Sequence, residues 1–184
     1  MERQTVLIVD DSELNRMMLM EILGEQYRYI EASDGREAVR LMEKKPTVDL
    51  MLLDINMPEM NGFQVLEQMN RFRWIDEIPV TMISADETSQ AIQQAYAMGV
   101  TDYIRRPFDT FIVRRRVENT LKLYANQKRL MHLVSDQIRE KEENSNLMVG
   151  ILSHVVEFRN HEGGDHIRNI RGITELLLRQ LVKK

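Results

Sequence analysis

The chain has no cysteine among its 184 residues. That excludes disulfides and any thiolate metal site, and it suits a reducing compartment. No apolar run approaches the roughly 18 residues that span a bilayer. The N-terminal MERQTVLIVDD lacks a signal-peptide pattern and reads as a first strand, so a cytoplasmic protein with no membrane partner is expected. There is no internal repeat and no low-complexity tract. From Phe111 to Met148 there is neither proline nor glycine, and nothing in that stretch breaks a helix. Basic charge is not in excess: the net charge is -4. The balance is uneven, however. Residues 1–109 carry 11 Lys+Arg against 20 Asp+Glu, and residues 110–184 carry 14 against 9. Two physically different parts are implied. A hydrophobic fraction of 43% suits one compact domain plus something smaller.

What is present in the first part is an alternation of strand and helix patterns. TVLIV at 5–9 is a continuous apolar run, the mark of a strand covered on both faces. Ser12 is placed to cap a helix with Leu14, Met17, Met18, Leu19, Ile22 and Leu23 at helical spacing, and Gly24 lies near its end. A short strand follows at 27–31. Asp34 then caps a helix carrying Ala38, Val39, Leu41 and Met42, stopped by Pro46. Residues 48–54 form a central strand, 62–72 a helix, 78–84 a strand, 87–98 a helix and 101–104 a short strand. Asp109 caps the next helix. Five such units predict an α/β fold: a five-stranded, doubly wound parallel sheet of flavodoxin-like order 2-1-3-4-5, with helices on both faces.

The strand tips carry the chemistry. The first strand ends in Asp10 and Asp11, and MLLDINMPEMNG delivers Asp54 to the tip of the neighbouring third strand. Three carboxylates there repel one another unless a cation sits among them, and hard oxygen ligands with room for water suit magnesium. A carboxylate beside magnesium can attack phosphorus and become an acyl phosphate. Ser84 at the tip of the fourth strand supplies a hydroxyl, and Arg106 after the fifth supplies a cation.

The motifs VDD (9–11), DINMP (54–58), SA (84–85) and DYIRRPF (102–108) resemble those of a bacterial two-component response-regulator receiver domain. The resemblance covers residues 1–124. It implies that Asp54 is the phosphoacceptor, and that Asp10, Asp11 and Asp54 hold Mg2+ with the Asn56 backbone carbonyl as a further ligand. It also implies that Ser84 and Tyr103 form the switch and that the Arg106-Pro107 peptide is cis. The partner would be a histidine kinase or phosphotransfer protein. The family has lysine where this chain has Arg106. A planar guanidinium fork can pair with phosphate bidentately, or it can leave the phosphate poorly placed and weaken the switch.

Beyond residue 109 no strand is expected. Val117, Tyr124, Met131 and Ile138 recur every seven residues, which suits a long helix with a coiled-coil seam and a homodimer through residues 111–148. The alternative is a packed helix to residue 124 followed by a solvated linker at 125–148, which the polar stretch REKEENSN supports. The run Arg114-Arg115-Arg116 reads as a solvated face, since no helix-turn-helix pattern follows and no nucleic-acid partner is expected. Residues 125–150 are taken as a helical linker and 151–184 as two helices around Gly163-Gly164. The EGGDH stretch, with Glu162 and His166 four apart, resembles the opening of an HD-GYP domain, a metal-dependent cyclic di-GMP phosphodiesterase. Glu162 and His166 match metal ligands of some members. The HD and GYP motifs are absent, so no phosphodiesterase chemistry carries onto this chain. His154, His161 and His166 read as surface or packing histidines. Two other readings stay open: a pseudo-receiver acting as a constitutive dimerisation module, and the regulatory part of a cyclic di-GMP hydrolase.

Overall fold

The structure is a computed structural model and describes residues 3–44, 47–85, 89–160, 172 and 175. It divides into two units, Met1–Asn126 and Gln127–Lys184. The first holds five parallel strands: β1 (Thr5–Val9), β2 (Arg28–Ala32), β3 (Leu50–Asp54), β4 (Val80–Ser84) and β5 (Asp102–Arg105), in the order β2-β1-β3-β4-β5. Every residue of β1, β3 and β4 is buried, as interior parallel strands require.

Alternate residues of these strands face opposite sides and build two cores. Leu7, Val9, Met51, Leu53, Val80 and Met82 pack with residues of α2 (Gly35–Glu43), α3 (Gly62–Arg71) and α4 (Ser89–Ala97). Val6, Ile8, Leu50, Leu52 and Ile83 pack with α1 (Glu13–Leu23) and with Val113, Val117 and Leu121 of α5 (Thr110–Asn160). α1, α2, α3 and α5 each start on a side chain that satisfies a free N–H. The Asn15 N–H donates to Ser12 Oγ at 3.4 Å, the Glu37 N–H to Asp34 Oδ1 at 2.8 Å, and the Ile112 N–H to Asp109 Oδ1 at 2.9 Å. Asn61 and Gln64 form a reciprocal capping box at the head of α3.

Several expectations change in detail. β2 lies one residue later than expected, and β3 and β4 start two residues later. A short 3₁₀ turn at Trp74–Asp76 had no expected counterpart. In α1 only Leu19, Ile22 and Leu23 are buried, while Leu14, Met17 and Met18 are exposed. Asn15 and Arg16, four and three positions before Leu19, take the inward stripe instead, because that end of the helix faces the acidic strand tips. The three arginines at 114–116 are exposed, as expected of a solvated face, but two of them also bind within the first unit. Arg114 donates to the Ile22 carbonyl at 3.0 and 2.7 Å, near the C-terminal end of α1, and Arg116 pairs with Asp102. α5 also runs through Gly150 without a break. Pro46 and Gly163-Gly164 lie outside the described residues.

The heptad series divides between the units. Val117 and Leu121 are buried in the core of the first unit, and the Tyr124 hydroxyl lies 3.2 Å from Thr101 Oγ1. They are therefore committed to internal packing and unavailable to a partner chain. In the second unit, Met131, Val134, Ile138, Met148, Leu152 and Val155 of α5 are all exposed.

Two glycines separate close packing from helix propensity. A Cβ on Gly62 would collide with the Asp54 carbonyl oxygen and lie 3.0 Å from Ile55 Cα, whereas one on Gly150 meets nothing within 4 Å. Gly62→Ala should destabilise the first unit by about 1–3 kcal/mol, as overpacking does. Gly150→Ala should be neutral or stabilise α5 by up to about 1 kcal/mol. Urea unfolding of the two variants, followed by circular dichroism, checks the contrast.

Candidate functional site

In a parallel sheet all carboxyl ends lie at one edge, and in this order successive strands are added to one side of β1 and then, from β3 on, to the other. Val9 pairs with Leu53, so Asp10 follows β1 beside Asp54 at the end of β3. Asp54 pairs with Ile83 and Ser84 with Arg105, which brings Ser84 and Arg106 to the same edge. The peptide Arg106-Pro107 is cis, as the family resemblance implies.

Carboxylate oxygens of Asp10, Asp11 and Asp54 all lie within 4.8 Å of one another. Asp10 is fully buried, Asp54 is 1% exposed and Asp11 faces solvent. Asp10 is tightly held. Its Oδ1 accepts from the Ser12 N–H at 2.9 Å and from Asn15 Nδ2 at 3.0 Å, and its Oδ2 accepts from Arg106 Nη2. Arg16 donates to the Asp10 carbonyl at 2.8 Å and pairs with Glu31 at 2.9 Å, so α1 and β2 both fix the loop. Arg106 Nη2 also lies 3.2 Å from Asp54 Oδ1. That is ion-pair range without hydrogen-bond geometry, and Asp54 Oδ1 and Arg106 Nε are both buried with no hydrogen-bond partner.

These surroundings push the Asp54 pKa up from 3.8 to about 6. Burial is the first cause, the Arg106 charge opposes it, and the neighbouring Asp10 and Asp11 carboxylates reinforce it. The residues fit a small hard cation. Three carboxylates converge, one buried oxygen lacks a donor, and Asp11 leaves a side open to water.

Of the remaining expected site residues, Ser84 and Asn56 lie at or beyond the same strand ends and Tyr103 lies on β5. Ser84 is buried at the tip of β4, where its carbonyl accepts from the Arg106 N–H at 3.0 Å. Tyr103 is half-buried on β5 and lines a cavity of about 740 Å³ with Ile92, Phe108, Ile112 and Arg116. Asn56 is exposed in the loop after β3. Glu162 and His166 lie outside the described residues, as does His161, and His154 is exposed on α5. Sequence reasoning missed Asn15 and Arg16. Their signal was available: two long polar residues one helical turn inside the Ser12 cap, where an apolar stripe would otherwise begin. It also missed that Arg106 reaches Asp10 as well as Asp54.

A family profile described as response regulator receiver domain matches residues 6–118. A probable cyclic di-GMP phosphodiesterase of Vibrio cholerae is 28% identical over 96% of this chain, which spans 42% of that relative's length. The two-component response regulator ORR5 of Oryza sativa is 30% identical over 64% of this chain and 88% of its own. Among solved structures, that of the CheX-CheY-BeF3-Mg+2 complex from Borrelia burgdorferi superposes with a TM-score of 0.58 at 33% identity, over 63% of this chain and 87% of that one. With this fold, this acid cluster and a profile match over more than half its length, the chain belongs to the response regulator receiver domain family.

Proposed function

We propose that this chain is a phosphorylation-controlled signalling module whose acceptor is Asp54. The convergence of the Asp10, Asp11 and Asp54 oxygens within 4.8 Å carries the reading. Asp10, Asp11, Asp54 and the Asn56 backbone carbonyl would hold Mg2+. When bound, the ion offsets carboxylate repulsion and neutralises charge on the phosphoryl group. The Asp54 carboxylate attacks phosphorus, an O–P bond forms, and the P–N bond of a donor phosphohistidine breaks with its electron pair returning to the imidazole. The donor is a histidine kinase or phosphotransfer protein. Asp10 stays fixed through Ser12, Asn15 and Arg16, so the site is assembled before the donor arrives. Ser84 and Arg106 would receive the phosphoryl oxygens, and Tyr103 would follow Ser84 into or out of the cavity beside Phe108 and Ile112.

The same reading gives α5 the role of transmitter. Residues 1–124 act as the receiver, 125–150 as a helical linker and 151–184 as the opening of an output domain. The phosphodiesterase relative aligns over almost the whole chain, which supports a cyclic di-GMP hydrolase as the output. No helix among the described residues is long and apolar enough to cross a membrane, and a cytoplasmic location is part of the proposal. Exposed Met131, Val134, Ile138 and Met148 favour a homodimer along α5, with the contact after Tyr124 since Val117 and Leu121 are already buried.

Magnesium and a small phosphodonor such as acetyl phosphate should add one phosphoryl group by intact mass, and Asp54→Asn should add none. Unchanged mass in the parent, with a cognate kinase also failing, favours the pseudo-receiver instead.

A raised Asp54 pKa makes ionisation of that group a cost to folding. The protonated form is favoured in the fold, so its contribution is fully present below pH 3.8 and is lost as pH rises through about 6. In chelator, Asp54→Asn should therefore exceed the parent in stability at pH 7.5 by roughly 1–3 kcal/mol, and the gap should close toward pH 4. Thermal unfolding across that range reads the difference; a gap that widens on acidification contradicts it.

Sedimentation should show a dimer at micromolar concentration. The pair Met131→Asp and Ile138→Asp should give a monomer whose receiver still takes phosphate. A monomeric parent, phosphorylated or not, returns residues 125–148 to a solvated linker.

A further inference from the structure

Arg106 stands where a cation shared by Asp10 and Asp54 would sit. Its Nη2 contacts Asp10 Oδ2 and lies 3.2 Å from Asp54 Oδ1. Both carboxylates are buried, and the guanidinium-bearing side chain is 24% exposed. Building on the magnesium reading above, we propose that Arg106 is a built-in counter-cation that closes the metal site. Magnesium then enters only as the guanidinium releases Asp10, Asp54 or both.

Geometry is the first support. Magnesium takes its oxygen ligands at about 2.0–2.1 Å in near-octahedral array. An ion bound to both Asp10 and Asp54 has to occupy the space between their oxygens, which Arg106 Nη2 now fills. Burial is the second. Asp10 and Asp54 are buried, so an ion reaches the oxygens that the guanidinium contacts only when that side chain moves aside. Third, the closed arrangement is incompletely satisfied. Arg106 Nε and Asp54 Oδ1 are both buried without a hydrogen-bond partner, so the contact leaves donor and acceptor capacity unused and can yield to a better-satisfied cation. In this same closed position Arg106 Cζ is 5.8 Å from the centroid of the Phe108 ring.

Charge explains why the released guanidinium stays near. Three carboxylates face one divalent and one monovalent cation, so the pair neutralises the cluster without sharing the same oxygens. Displaced from Asp10, Arg106 remains at the tip of β5 with its donors free for an incoming phosphoryl oxygen. Closure of the empty site and reading of the filled one become two positions of one side chain. If the closed position holds 90–99% of the metal-free population, it weakens the apparent magnesium affinity by about 10- to 100-fold.

Calorimetric titration of the full chain with magnesium chloride tests this, using the parent, Arg106→Lys and Arg106→Gln. Lysine keeps the charge on a shorter side chain with a single compact nitrogen head, and glutamine lacks charge and reach. Both variants should bind magnesium at least about tenfold more tightly than the parent. Nitrogen-15 spectra of the parent supply a readout independent of affinity: the Arg106 guanidinium resonances should shift as magnesium saturates. Tightening in Arg106→Gln alone reduces the effect to charge and overturns closure. Equal affinity in all three chains, or guanidinium resonances unmoved at saturation, also overturns it. Absence of magnesium binding in every chain instead overturns the magnesium reading itself, and closure with it.

Discussion

Repulsion among Asp10, Asp11 and Asp54 is the constraint on which the rest of this structure depends. Two of these carboxylates are buried at adjacent strand tips, and no apolar rearrangement relieves them. The fold meets the repulsion with oriented donors rather than with distance. Ser12 and Asn15 hold Asp10, Arg16 holds its carbonyl against Glu31, and Arg106 spans Asp10 and Asp54. What the donors do not satisfy is informative. Asp54 Oδ1 keeps an unfilled acceptor, and burial pushes its carboxyl pKa up to about 6. A site stabilised this incompletely gains a great deal from a divalent cation.

Transmission follows from the same edge. Ser84 ends β4 and Arg106 directly follows β5, and the Arg106 N–H binds the Ser84 carbonyl, so a displacement at one is felt at the other. β5 in turn holds α5: Asp102 pairs with Arg116, and Thr101 meets Tyr124. On the proposed reading, a change at Asp54 reaches the helix through these contacts. On the same proposal, the exposed apolar residues of α5 in the second unit would turn a local event into a change between chains.

Much of this was readable from residues. Continuous apolar runs at 5–9, 48–54 and 78–84 announced strands buried on both faces, and Ser12, Asp34 and Asp109 announced helix starts. Those signals are local, and backbone physics enforces them locally. The acid cluster was legible because strand tips in a parallel sheet converge wherever the strands do. What the sequence did not disclose depends on direction. Periodicity counted Leu14, Met17 and Met18 as core, yet Asn15 and Arg16 took the inward stripe to serve Asp10. The heptad counted Val117 with Met131, yet the receiver core had already claimed it. The reach of Arg106 to Asp10 joins residues 96 positions apart. No spacing rule anticipates such a contact, because it is fixed by the loop that turns after β5.

The most direct test of the account is the melting temperature of the full chain against magnesium concentration at neutral pH, beside that of Asp11→Asn. Asp11 faces solvent, so its substitution removes a ligand without opening the core. A ligand that binds only the folded state raises the melting temperature with the logarithm of its concentration. The parent should therefore melt progressively higher as magnesium rises through the millimolar range, while Asp11→Asn rises far less. A parent whose melting temperature is indifferent to magnesium contradicts the claim that these three carboxylates form a cation site.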